Sequence, residues 1–470
     1  MTHVNEYGAA GDGKTDDTDA LLHAIKDGGG HVIFGRGTYR ITRTLEVSLN
    51  EVGRTSLDGS HGIAKLVMAG AGPAIRLVGT HEGTADPGSF KPEIWQRQRL
   101  PQVMDLEIEG AHPEADGIEL VGTMQPIISG VSLRELRHGI RIFKRNRNVL
   151  ISDCQIYHNT GVGVFCDRVN LHQINITGNH ISYCRLGGIR VQGSEVRNLQ
   201  ITGNDIEYNN YQSHKGAKPD EPTAEILIDT RGESGDSPRP SVRELTISSN
   251  TIQATHSPNG ANIRIIGPDP TGQLPPGMAA ISGNLIGNQN VNIHLVACRG
   301  ISITGNFIYT GYQHNLLIEN SDDISIGANT VGHNYWREGR LVNNNFYFVD
   351  STDCTLTGLQ MRGAPSGKTD SKPSREHKAL IEFVRCKRIN LSGCLLRDPT
   401  PAGIDLEDCS HISMTGCQIL DSRETKLMRH AVNWRGKGDS NLLANNTLDG
   451  TVGSIKAGPD VKIQQTGNLE

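Results

Sequence analysis

The residues best suited to chemistry lie in the middle of the chain, at matched points of a repeating pattern. They are Arg141, Asp167, Arg190, Gln192, Asp229, Arg264, His294 and Glu319. Two carboxylates can divide the work of glycoside hydrolysis. One protonates the leaving oxygen while the other activates water or attacks carbon. Asp167 and Asp229 are the candidates for that pair. Arg141, Arg190, Gln192, Arg264, His294 and Glu319 would bind substrate, with Arg190 also lowering the pKa of a neighbouring carboxyl. The same set permits a second chemistry, β-elimination from a uronic acid. Arg141, Arg190 or Arg264 would neutralise the uronate, and His294, His158 or Lys215 would take the proton.

A repeat must position these side chains. Ile176-Thr177-Gly178-Asn179-His180-Ile181 recurs as Ile201-Thr202-Gly203-Asn204-Asp205-Ile206 and as Ile303-Thr304-Gly305-Asn306-Phe307-Ile308, with further copies along the chain. Apolar residues alternate on both sides of Gly-Asn, so each copy reads as strand, tight turn, strand. A repeat of this kind signals a solenoid. The expected fold is all-β: a single-stranded right-handed parallel β-helix of roughly 12 coils with a short N-terminal capping helix. The asparagines would stack as a ladder from coil to coil. Residues 1–470 read as one domain, with a cap and first coil in 1–45 and regular coils in 103–455.

A further strand in each coil shows small, apolar, x, apolar, x. Its two x positions face outward because side chains alternate along a strand. One column reads Glu119, Arg141, Phe165, Arg190, Leu227, Arg264, His294, Leu317, Tyr347. The other reads Val121, Phe143, Asp167, Gln192, Asp229, Ile266, Val296, Glu319, Val349. Asp167 and Asp229 fall two coils apart, about 9 to 10 Å by the coil spacing. That separation suits an inverting better than a retaining hydrolase. Flanking turns can add His138, His158, Arg168 and Arg185. Three insertions break the repeat, at 211–223, 230–240 and 362–377. The first two flank Ala224 to Asp229 and mark the expected cleft.

Residues Val4 to Thr18 carry the most specific local pattern, followed by helical spacing at Ala20, Leu21, Ala24 and Ile25, a Gly28-Gly29-Gly30 stop, and Val32-Ile33-Phe34. Asp16 or Asp17 can cap the helix and Gly28 can end it in the left-handed conformation. This segment resembles the start of the pectate-lyase-like superfamily of right-handed β-helices, which includes polygalacturonase-type glycosidases, polysaccharide lyases and phage tailspike depolymerases. The resemblance implies a carbohydrate-active protein with a poly- or oligosaccharide partner. It does not transfer catalytic residues. The paired aspartates, Gly-His-Gly and Arg-Ile-Lys of the polygalacturonase type are not intact here. The calcium-using lyases of the superfamily carry an acidic cluster. Here Asp167, Asp229 and Glu319 alternate with arginines, so neither Ca²⁺ nor another metal or cofactor is expected.

Composition narrows the partners. The 470 residues include 55 glycines and only 4% aromatics, which suits many tight turns around a thin aliphatic core. Net charge is -5 and no basic run stands out, so nucleic acid and membrane surfaces are not expected partners. Nine cysteines form no CxxC pair and read as buried thiols stacked between coils. The expectation is a glycoside hydrolase, monomeric or homotrimeric, in a secreted, periplasmic or cell-surface setting, its leader absent from this chain; a cytoplasmic location stays open. The alternatives are a polysaccharide lyase and a non-catalytic glycan-binding or structural β-helix. Sparse aromatics on the strip (Phe143, Phe165, Tyr347) argue against pure binding.

Overall fold

The Gly-Asn turns set the architecture. Gly178, Gly203, Gly283 and Gly305 all hold φ between +65° and +68°, a backbone state that disfavours a side chain. Each turn carries the chain from a strand of one parallel sheet to a strand of the other, as from Glu195–Thr202 to Asp205–Glu207. The computed structural model describes residues 2–83, 86–210, 223–232, 240–254, 257, 259–268, 275–333, 345–363 and 377–470. Most of the three insertions, and Lys215 with them, lie outside the described residues.

Contacts within the chain group into two compact units: residues 1–218 with 223–246, and residues 219–222 with 247–470. Unit 1 stacks its coils in parallel register. Ile140 pairs with Val164, which pairs with Ile189, which pairs with Ile226, and this row faces the core. On a second face Ile151, Ile176 and Ile201 stack in the same way. On the third, Ile156, Ile181 and Ile206 do so. All are fully buried, and each such side chain contributes roughly 1.5–3 kcal/mol. Unit 2 repeats the plan with Ile293, Leu316, Phe346, Ile381, Ile404 and Val432 in one buried row.

Regular stacking reaches beyond the expected 103–455. Gly37–Ile41 pairs with Ala64–Met68, which pairs with Leu106–Gly110. At the other end Val461–Thr466 pairs with Gly438–Ala444. In one of these early coils Gly72–Val78 is a strand.

The helix forms over Thr18–Asp27 and buries Leu21, Ala24 and Ile25. Asp16 caps it by accepting from the Thr18 amide at 3.1 Å. Asp17 instead accepts from the Ala10 and Gly11 amides and pins the preceding loop. Gly28 does not end the helix in the left-handed conformation, as its φ is -83°. It is needed for space: a Cβ there would stand 2.3 Å from the Ala24 carbonyl oxygen.

The asparagine ladder is present in both units. Asn179 donates to Asn204 at 3.0 Å in unit 1. In unit 2 Asn250 donates to Asn284, Asn284 to Asn306 and Asn306 to Asn329, each at about 3.0 Å. The Oδ1 of Asn179 also accepts the Cys154 amide of the coil before at 3.0 Å, and Asn204, Asn284, Asn306 and Asn329 each accept one in the same way. Unit 2 carries a second ladder at another corner, Asn262 to Asn292 to Asn315. All nine cysteines are free and buried. Cys154 and Cys417 occupy ladder positions, each giving its amide to the next asparagine.

Candidate functional site

The outward columns follow the register read from the sequence. In unit 1, Glu119, Arg141, Phe165, Arg190 and Leu227 form one row, and Val121, Phe143, Asp167, Gln192 and Asp229 the next. Arg141, Asp167, Arg190, Gln192 and Asp229 therefore share one face of unit 1. Arg264, His294 and Glu319 belong to unit 2, where Arg264 pairs with His294 and Val296 with Glu319.

Charges in unit 1 are strung across four coils. Arg76 Nε meets Glu119 at 2.7 Å, and Arg141 Nη1 meets the other Glu119 oxygen at 2.8 Å. Arg141 also grips Asp167 through Nε at 3.0 Å and Nη2 at 2.5 Å. Arg168 Nε takes the second Asp167 oxygen at 2.9 Å. Asp167 is only 7% exposed. Burial pushes its carboxyl up, but the bonds from Arg168 and Arg141 outweigh burial, so its pKa lies below the usual carboxylate value. Asp229 is equally buried and is held in a fork by Arg231, at 2.9 Å through both Nε and Nη2. Arg190 lies over the Phe165 ring at 5.9 Å, and Arg141 over Phe143 at 4.6 Å.

The imidazoles divide by their bonds. His138 Nδ1 accepts from the Val162 amide at 3.1 Å, which leaves the proton on Nε2. Burial drives its pKa down to about 4, so the ring is neutral near pH 7. His158 stacks on Tyr183 at 4.9 Å and Tyr183 on Tyr208 at 5.5 Å. In unit 2, Arg264 Nε donates to His294 Nδ1 at 3.0 Å, so His294 Nε2 carries the proton and meets Glu319 at 2.6 Å. Burial lowers the His294 pKa. With its lone pair engaged by a guanidinium, His294 is a poor proton acceptor.

Two groups of charges were not singled out from the sequence. Arg76 belongs to a coil whose register was not traced, and the Arg137–Asp116 pair, at 2.9 and 2.7 Å, lies just before the outward columns of two coils that were. On the corresponding face of unit 2, Glu382 pairs in register with Asp405, and both are 1% exposed. Arg435 binds Asp405 at 2.6 Å and Glu407 at 2.6 Å. The alternation in Ile381-Glu382-Phe383-Val384 would have revealed them had the columns been carried past Val349. A third face of unit 1 brings together His180, Asp205 and Glu207, one metal-ligand set among the described residues. His180 Nδ1 stands 3.2 Å from Asp205 there.

Comparison with known proteins agrees with this architecture. A family described as right handed beta helix region matches residues 104–218. A second, rhamnogalacturonase A/epimerase, pectate lyase-like, matches residues 1–62. The fold is a right-handed parallel β-helix, and the pectate lyase-like match is confined to the N-terminal residues 1–62. It is similar to alginate lyase 7 of Azotobacter vinelandii, 28% identical over 202 residues. That match covers 38% of this chain and 22% of the relative, about a fifth of its length. Among solved structures, the Dettilon tailspike protein is 15% identical, covering 92% of this chain and 68% of that one with a TM-score of 0.48. The A-module of the Azotobacter vinelandii mannuronan C-5 epimerase AlgE6 is 14% identical, covering 100% and 99% with a TM-score of 0.41.

Proposed function

We propose that this chain is a carbohydrate-active enzyme that acts on a uronate-containing polysaccharide by β-elimination, on the outward charged face of unit 1. The observation that carries this reading is the state of the two carboxylates. Asp167 is gripped by Arg141 and Arg168, and Asp229 by Arg231. Hydrolysis needs one carboxyl that keeps its proton near neutral pH. Asp167, with a lowered pKa, does not supply it. Arginines held in place by buried carboxylates are instead suited to binding an anionic sugar. The 28% identity to a protein named alginate lyase 7 supports the same substrate class.

In this reading Arg141 and Arg190 bind the uronate carboxylate and draw charge from the carbon beside it. His158 serves as base; among the described residues its nitrogens make no hydrogen bond, and its ring is held against Tyr183. The base removes the proton from that carbon, the new electron pair forms a carbon–carbon double bond, and the glycosidic oxygen leaves and is protonated. Asp167 keeps Arg141 and Arg168 in place. The test compares polymers of equal length that differ in charge. Polymannuronate or polygalacturonate should be cleaved and a neutral glucan should not. His158→Ala should lower kcat while substrate binding persists. Equal cleavage of the neutral polymer would overturn the proposal.

A second reading, acid/base hydrolysis by Asp167 and Asp229, rests on their register. Gln192 separates them, so they stand two coil steps apart, about 9 to 10 Å. That spacing leaves room for a water between them.

A further inference from the structure

A groove of about 310 Å³ crosses three coils of unit 1, on the face that follows the charged one along each coil. Five carboxamides line it, from Asn148, Gln173, Asn175, Asn198 and Gln200, together with Leu150. Its shape has a local cause. Asn148, Gln173 and Asn198 hold φ of 52°, 67° and 54° at the same point of successive coils. Pairing steps past each of them, from Arg147–His172–Arg197 to Val149–Ile174–Leu199. A left-handed residue inside a strand bends it, and three stacked bends make a trough.

The chemistry of the trough is uniform. No lining residue is charged. Asn148 Nδ2 donates to Gln173 at 2.5 Å, and Asn198 Nδ2 lies 3.1 Å from His172 Nε2. Asn175 and Gln200 pair in register, are exposed, and make no side-chain hydrogen bond among the described residues. Leu150 completes their row and is half-buried. A carboxamide offers planar donors and an acceptor together, which matches neighbouring hydroxyls on a sugar ring. Leu150 offers an apolar patch for the C–H face of a ring. A charged ligand would gain no ion pair. Three coils span about 10 Å, room for two or three sugar residues along the stack.

We propose that this groove is a binding site for an uncharged stretch of oligosaccharide, with hydroxyls on Asn175 and Gln200 and a ring face on Leu150. It is independent of the charged strip and does not rest on the reaction assigned there. The experiment is titration calorimetry of the full chain with cellohexaose and maltohexaose as probes. The variants are Asn175→Ala/Gln200→Ala and Asn175→Asp. Both sites are exposed, and thermal melting checks that the variants fold as the parent does. At least one hexasaccharide should bind, at least tenfold more weakly to both variants, and Arg141→Ala should leave that binding unchanged. No binding of either probe, or equal binding by the variants, would overturn the proposal. Loss of a dimer in the double variant, without an effect on either probe, would assign the groove to self-association and overturn it as well.

Discussion

Asp167 shows what a single residue's neighbours decide. Its place on the outward face was legible, because apolar residues alternate through Val162 to Cys166 and fix the register. Its ionic state was not. That depends on Arg141 one coil back and Arg168 next in the chain, whose side chains could have turned elsewhere. The arginine is the residue to test. Arg141→Ala should lower kcat/KM on a uronate polymer by about a hundredfold, as loss of roughly 2.7 kcal/mol of charge stabilisation implies. Arg141→Lys should rescue little, because an ammonium cannot span Glu119 and Asp167 as the guanidinium does. His81 and His138 bear on pH. Burial depresses both to about 4. The unfolded chain takes up protons below about pH 6.5, while the fold resists until about 4. Their contribution is full above 6.5 and is lost as pH falls toward 4, at up to about 1.4 kcal/mol per pH unit for each histidine. Chemical denaturation at pH 7.5, 6 and 5 should show that decline.

At the scale of the coil, the Gly-Asn motif was the most legible feature, because one turn is written many times. The ladder it predicts is measurable. Asn179→Ala removes the acceptor for the Cys154 amide and the donor to Ile151 and Asn204. It should cost about 1–3 kcal/mol of stability, read as a shift in the denaturant midpoint. Ile176→Ala, at a fully buried position between Ile151 and Ile201, should cost about 2–5 kcal/mol. The second ladder, Asn262, Asn292 and Asn315, falls at one position of the aligned strands, but that position is Gly or Glu in other coils, so its bonding was not announced. The cysteines behaved as buried thiols. Burial pushes Cys154, Cys166 and Cys184 up to about 12, where little thiolate forms. A thiol reagent should therefore leave Cys154, Cys166 and Cys184 unreacted in the native chain, and react with all nine cysteines after denaturation.

For the whole molecule, repetition explains what the sequence could disclose. A β-helix is written coil by coil, so its class followed from a handful of copies and the N-terminal segment agreed with it. The repeat continues through both compact units, so no break in it marks where they divide. Reaction type was the least legible. One scaffold supports several chemistries, and the choice lies in outward side chains that the repeat does not constrain. Product analysis tests the central claim most directly. The chain is incubated with polymannuronate, polyguluronate and polygalacturonate, and absorbance near 235 nm is followed beside new reducing ends. The account predicts that absorbance and reducing ends rise together on a uronate polymer, and that Arg141→Ala suppresses both. Reducing ends that accumulate without absorbance would contradict it and return Asp167 and Asp229 to the roles of acid and base.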